Sequence, residues 1–136
     1  MKPIIYYNDK FLDKAGIFFK IGGIALFPFI ILREKYLTKL YEEANKRTVN
    51  HETIHFWQTF ECLIIPFYLL YFLFYAFYAL RYWNIKKGYY SIPFEKEAFY
   101  NEYNYDYLKN RKPFSWVNYI FKPTVKRGRN KTLIEI

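Results

Sequence analysis

The 136-residue chain is poor in the residues that staple, bend or interrupt a fold: one cysteine (Cys62), five glycines, six prolines and two histidines. A single thiol excludes a disulfide framework and carries no information on redox compartment. So little glycine and proline excludes collagen-like and low-complexity classes. Acidic residues are scarce too, 12 against 21 Lys and Arg, which leaves a formal charge of +9. No cleavable signal peptide is visible: Met1 to Lys14 mixes apolar and charged residues, with no small-residue cleavage site after an apolar run.

Apolar and aromatic residues fill the place of what is missing. Hydrophobic residues make up 53% and aromatics 25% (16 Tyr, 15 Phe, 3 Trp), which excludes intrinsic disorder. The length suits one domain, expected over 1–121, followed by a basic C-terminal tail over 122–136. Residues 101–136 alone carry eight basic and three acidic side chains. The tail has no aromatic interleaving, so it lacks the stacking platform of a single-strand binder. Anionic lipid headgroups suit it better than nucleic acid.

Segment 15–32, AGIFFKIGGIALFPFIIL, is apolar enough for a membrane span but is interrupted by Lys20, Gly22-Gly23 and Pro28. Its pattern fits two strands, Gly16 to Ile21 and Ile24 to Leu32, around a tight Gly-Gly turn with positive φ, Pro28 pushing the second strand toward an edge. Residues 33–47 read as a solvated connector. Thr48 or Asn50 can cap a helix through VNHETIHFWQTFECLII, with a break at Pro66. An apolar helix from Phe67 to Trp83 follows, then a loop NIKKGYYSI, a helix from Pro93 ended by Pro113, and an aromatic segment over 114–121. Leu63 to Leu80 is 18 uncharged residues, the lower limit of a membrane span, with Arg81, Lys86 and Lys87 placed for headgroups. A buried hairpin arm is the other reading of that segment.

Both histidines fall in one motif, HETIH: His51, Glu52 and His55. Two histidines placed at random would stand four apart about once in 70 cases, and a Glu directly after the first lowers this to about one in a thousand. At i and i+4 of a helix, both imidazoles face a single Zn²⁺, while Glu52, turned about 100° from His51, addresses a water on the metal. Glu61 would point about 120° away from His55 on a continuous helix and is rejected as a ligand. Gln58 falls on the histidine face and is placed to hydrogen-bond near the site; Cys62, two turns on, reads as core.

HETIHFWQ (51–58) and, about forty residues later, PFEKEAF (93–99) resemble the HExxHxxQ and ExEA pair of small gluzincin-type zinc metallopeptidases, compact bacterial proteins with apolar helices between the two motifs. The stretch ALFPFIILREKYL also looks like the edge strand that such enzymes lay beside substrate. The resemblance covers 15–112. It implies that Glu95 is the third zinc ligand and that Ala98 permits close helix packing. It departs at Phe99, where a residue that orients a histidine should stand. An offset alignment makes Glu97 the ligand and Asn101 its polar support, but puts Tyr100 where a small residue belongs. Glu95 and Glu97 lie about 200° apart on a helix, so only one can face the metal.

Chain geometry limits how the two motifs meet. A straight helix would carry Trp83 about 42 Å beyond His55. The twelve residues from Trp83 to Glu95 return at most about 40 Å fully extended. A bend near Pro66 is therefore required if Glu95 is to reach the histidines. This favours a compact hairpin, buried or dipping into one leaflet, over a simple span.

These readings combine into an α+β, mainly α, zincin-like minimal domain: an N-terminal β-hairpin, an HExxH helix, an apolar helical hairpin and a Glu-bearing helix. The expected cofactor is Zn²⁺ on His51, His55 and Glu95, with Glu52 as general base and Gln58, Glu97 and Asn101 in support or reserve. The expected function is a membrane-associated peptidase of the bacterial cell membrane, with membrane lipid or a membrane protein complex as partner and peptide as substrate. The rival is a non-catalytic subunit or interaction module that keeps a zinc-site remnant, which the intact Glu52 opposes, since a structural site has no use for a base. A lipid- or nucleic-acid-binding tail protein ranks third.

Overall fold

The computed structural model describes residues 1–16 and 21–136 and has the α+β, mainly α architecture. Strand β1 (Ile4–Tyr7), helix α1 (Asp9–Ala15), and strands β2 (Gly23–Leu26) and β3 (Phe29–Leu32) come first. β3 is central, parallel to β1 with Ile4 opposite Phe29, and antiparallel to β2 with Gly23 opposite Leu32. Alternation in β3 sends Ile30 and Leu32 into a core with Ala25 and Tyr36.

The N-terminal hairpin therefore differs in detail from its expectation. Its turn is at Phe27-Pro28, and Pro28 pushes neither strand outward, since β3 is the middle strand. No described glycine has positive φ. Gly23 serves packing instead: a Cβ there would come 2.7 Å from Leu32 Cδ2. Most of the strand expected over Gly16 to Ile21 lies outside the described residues. β1, unforeseen, completes the sheet through its parallel pairing with β3.

The expected connector over 33–47 holds two short 3₁₀ turns and the first residues of α2 (Glu42–Glu61). Residues 42–47 (EEANKR) are mostly good helix formers with two acids in the first turn, so the helix starts before Thr48 and Asn50, which are interior and cap nothing of α2. The break near Pro66 is present: α2 ends at Glu61, Leu63 and Ile64 take positive φ, and α3 (Ile65–Tyr82) begins with Pro66 in its first turn, where no N–H is needed. α3 is long and apolar enough to cross a membrane.

The expected loop after α3 is helix α4 (Ile85–Ser91), started by Asn84, whose side chain accepts from Lys87 N. α4 returns along α3 so closely that a Cβ on Gly88 would lie 2.6 Å from Ala79 N. Pro93 then opens α5 (Pro93–Asn101) as anticipated, but α5 stops well short of Pro113. The Asn50 amide explains the stop, because it donates to the carbonyls of Asn101, Glu102 and Asn104 and holds the chain in a turn. Short α6 (Tyr107–Asn110) and a 3₁₀ turn over Ser115–Tyr119 follow. The region expected as a basic C-terminal tail pairs as strands β4 (Val125–Arg127) and β5 (Leu133–Glu135), with Val125 buried.

A second core forms where α3, α4 and α5 meet. Cys62, Phe67, Ile92 and Phe94 are buried there, and Phe94 touches the Phe67 and Trp116 rings at 4.6 and 4.7 Å. Loss of the fully buried Phe94 ring would cost about 3–5 kcal/mol. This core fixes the first turn of α5 against α3, and Gln58 of α2, donating to the Phe94 carbonyl, ties that turn to α2 and so sets where Glu95 stands.

Candidate metal centre

α2 presents His51 and His55 on one face, a turn apart, and α5 brings Glu95 over them. The three side chains are buried. His51 Nε2 and His55 Nε2 are 3.2 Å apart; Glu95 Oε2 lies 3.1 Å from the first and Oε1 3.2 Å from the second. One donor atom from each of the three residues lies within 4.8 Å of the others, which is close enough for the group to hold a metal ion.

The far nitrogen of each imidazole is occupied, which fixes the tautomer. His51 Nδ1 donates to Glu102 Oε2 and His55 Nδ1 to Gln58 Oε1, both at 2.8 Å. Each Nε2 then turns its lone pair inward. Two lone pairs and a carboxylate aimed at one point repel unless a cation joins them. Burial opposes charge on His51, but its bonds to Glu102 and Glu95 prevail and push its pKa up to about 10. Burial likewise opposes the Glu95 carboxylate, yet His55 and His51 hold its pKa far below the ordinary range. A proton answers the demand for positive charge; a divalent ion answers it with a better geometry.

Support reaches outward from each histidine. Glu102 is fully buried and held by Arg127 through Nε to Oε1 at 2.7 Å and Nη2 to Oε2 at 2.9 Å. Gln58 donates to Glu97 Oε2 at 2.7 Å and to the Phe94 carbonyl at 3.1 Å. Glu97 is gripped by Arg111 and by the Tyr107 hydroxyl, and Arg111 also takes both oxygens of Glu61. Thus Glu97, the alternative ligand, supports His55 through Gln58 and does not join the triangle. Asn101, expected beside it, donates to the Glu97 carbonyl and the Tyr119 hydroxyl and touches neither histidine.

Four features escaped the sequence reading. Phe99, at the position where an orienting polar group was sought, packs edge-on against the His51 ring at 4.7 Å. The orienting group is Glu102, and its signal was present: seven residues after Glu95 is two helical turns, hence the same face. Tyr71, from α3, donates its hydroxyl to Glu95 Oε1 at 2.8 Å. Arg127 comes from the stretch read as a tail, and no local spacing announces it.

Glu52 is buried and borders a cavity of about 310 Å³ together with His55, Glu95 and Tyr71. Among the described residues its carboxyl makes no hydrogen bond. Burial raises its pKa above the ordinary carboxylate value, against the lowering pull of His51 and His55. Among the described residues β2 is an outer strand of the sheet, and it runs along the same cavity with Gly23, Ile24, Ala25 and Leu26 in its wall. A His-His-Glu group close enough to hold a metal ion, a carboxyl beside it, an apolar cavity and an outer strand are thereby assembled at one place. Comparison with family models, with curated proteins and with solved structures finds no match to this chain.

Proposed function

We propose that the protein is a membrane-associated, zinc-dependent peptidase of the gluzincin type. One observation carries the reading: His51, His55 and Glu95 each offer a donor atom within 4.8 Å of the others, and Glu52 borders the same cavity without belonging to that group. Two imidazoles and a carboxylate suit Zn²⁺ and leave a fourth position open. The ion, when bound, supplies Lewis-acid chemistry, acidifying a water and polarising a carbonyl.

The chain's own residues do the rest. Glu102 and Gln58 keep both histidines in the tautomer that binds metal. Glu52, its basicity raised by burial, takes the proton of the attacking water and returns it to the leaving amine. The outer edge of β2 offers backbone hydrogen bonds to an extended peptide, which supports peptide over other carbonyl substrates. The apolar α3 supports placement at a membrane.

That same exposed α3 favours a second reading, a non-catalytic module that keeps the metal for stability. Glu52→Gln separates the two. The peptidase reading expects unchanged metal content and fold with turnover of a peptide library reduced by several orders of magnitude. Equal turnover by the variant, or none by metal-loaded wild type on any peptide offered with lipid vesicles or detergent, overturns it.

A further inference from the structure

α3 has two faces. Phe67, Tyr68, Tyr71, Phe74 and Tyr75 pack on the second core or wall the metal cavity. On the other side Ile65, Leu69, Phe72, Leu73, Phe77 and Leu80 are each more than half exposed. Their spacing follows the helical repeat, so they form one stripe, and Trp83, 90% exposed, continues it. The helix is about 27 Å long at 1.5 Å per residue, and soluble monomers rarely leave so long an apolar patch in water.

Charge decides what covers it. From Cys62 to Phe94 the chain has no Asp or Glu, and its three cations, Arg81, Lys86 and Lys87, gather where the stripe ends. A second copy docked stripe to stripe would bring these cations no carboxylate from the same surface. An anionic leaflet brings phosphates to the cations and acyl chains to the stripe, with Trp83 at the boundary between them.

We propose that α3 is a monotopic anchor, lying side-on in the headgroup–acyl boundary of an anionic leaflet with its stripe toward the acyl chains. The inner face of α3 is covered by protein from Phe67, against Phe94, to Ala79, against Gly88. A crossing orientation would drag that bulk, and the buried carboxylates behind it, into hydrocarbon. The inference rests on the reading that the protein works at a membrane, and adds the surface and the orientation. Because Tyr68, Tyr71 and Tyr75 of this helix wall the metal cavity, the site then lies within about one helix diameter, ~10 Å, of the lipid.

Flotation with vesicles of phosphatidylcholine, with and without phosphatidylglycerol, tests it. Wild type should float at least tenfold better with the anionic vesicles. Leu69→Ser/Phe72→Ser/Phe77→Ser should lose at least tenfold while keeping its circular dichroism and metal content. A serine variant that floats like wild type overturns the stripe but leaves the membrane reading standing; wild type that floats with no vesicle overturns both. A dimer in plain buffer that the serine variant abolishes gives the stripe to a second copy and overturns the proposal. In a Cys62→Ala background, Leu63→Cys and Asn84→Cys on vesicle-bound protein should both react with an impermeant maleimide added outside, and protection of either one overturns the side-on orientation.

Discussion

His51 Nδ1 donates to Glu102 Oε2 at 2.8 Å, and this contact ties α2 to the C-terminal strand pair, because Arg127 of β4 holds the same carboxylate. A carboxylate behind a ligating imidazole raises the basicity of the ligand and fixes its ring, and such partners are worth about 10–100-fold in metal affinity. Glu102→Gln should therefore weaken zinc binding by about that factor in a chelator competition, with Glu135→Gln as a control that changes nothing.

Arg111 is the keystone behind the other histidine. Its side chain is 5% exposed and neutralises Glu97 and Glu61, themselves 0% and 9% exposed. Arg111→Ala would leave two buried carboxylates without their cation, a loss of about 3–5 kcal/mol. Denaturant midpoints with and without added zinc should both fall.

The close contact of α4 on α3 makes a third expectation. Gly88→Ala places a methyl group 2.6 Å from backbone that cannot yield, so α4 must shift. The cost should be about 1–3 kcal/mol by thermal or chemical unfolding, and it should appear in metal-free and metal-loaded protein alike.

Much of this arrangement was legible in the sequence, and the rest was hidden for physical reasons. HETIH declares its geometry because a single helical turn relates its residues. Pro66 declares a break and Pro93 a helix start, because proline is tolerated in the first turn of a helix and not in its interior. Glu95 was legible only through the resemblance of PFEKEAF to an ExEA motif, and chain reach then asked for the bend near Pro66 that lets it return. The Gly22-Gly23 turn was misread because a glycine needed for close packing looks the same as one needed for positive φ. Asn50 looked like a cap for its own helix and serves another one, Glu102 was passed over in favour of nearer positions, and Arg127 depends on how β4 folds back, which no local pattern encodes.

Chelation should also report on folding. The triangle ties α2 to α5, so a bound ion stabilises the native chain in proportion to its affinity and concentration, about 2.7 kcal/mol at a hundredfold excess over the dissociation constant. Removing metal with EDTA should lower the melting temperature of wild type by several degrees and leave His51→Ala unmoved.

The central claim is that His51, His55 and Glu95 hold one divalent ion. Elemental analysis of protein purified without chelator, then dialysed against trace zinc, tests it most directly. The account predicts about one zinc per chain in wild type and in Glu52→Gln, falling to about a tenth or less in His55→Ala and in Glu95→Gln. Wild type that stays free of metal, or a His55→Ala variant that binds as much zinc as wild type, would contradict it.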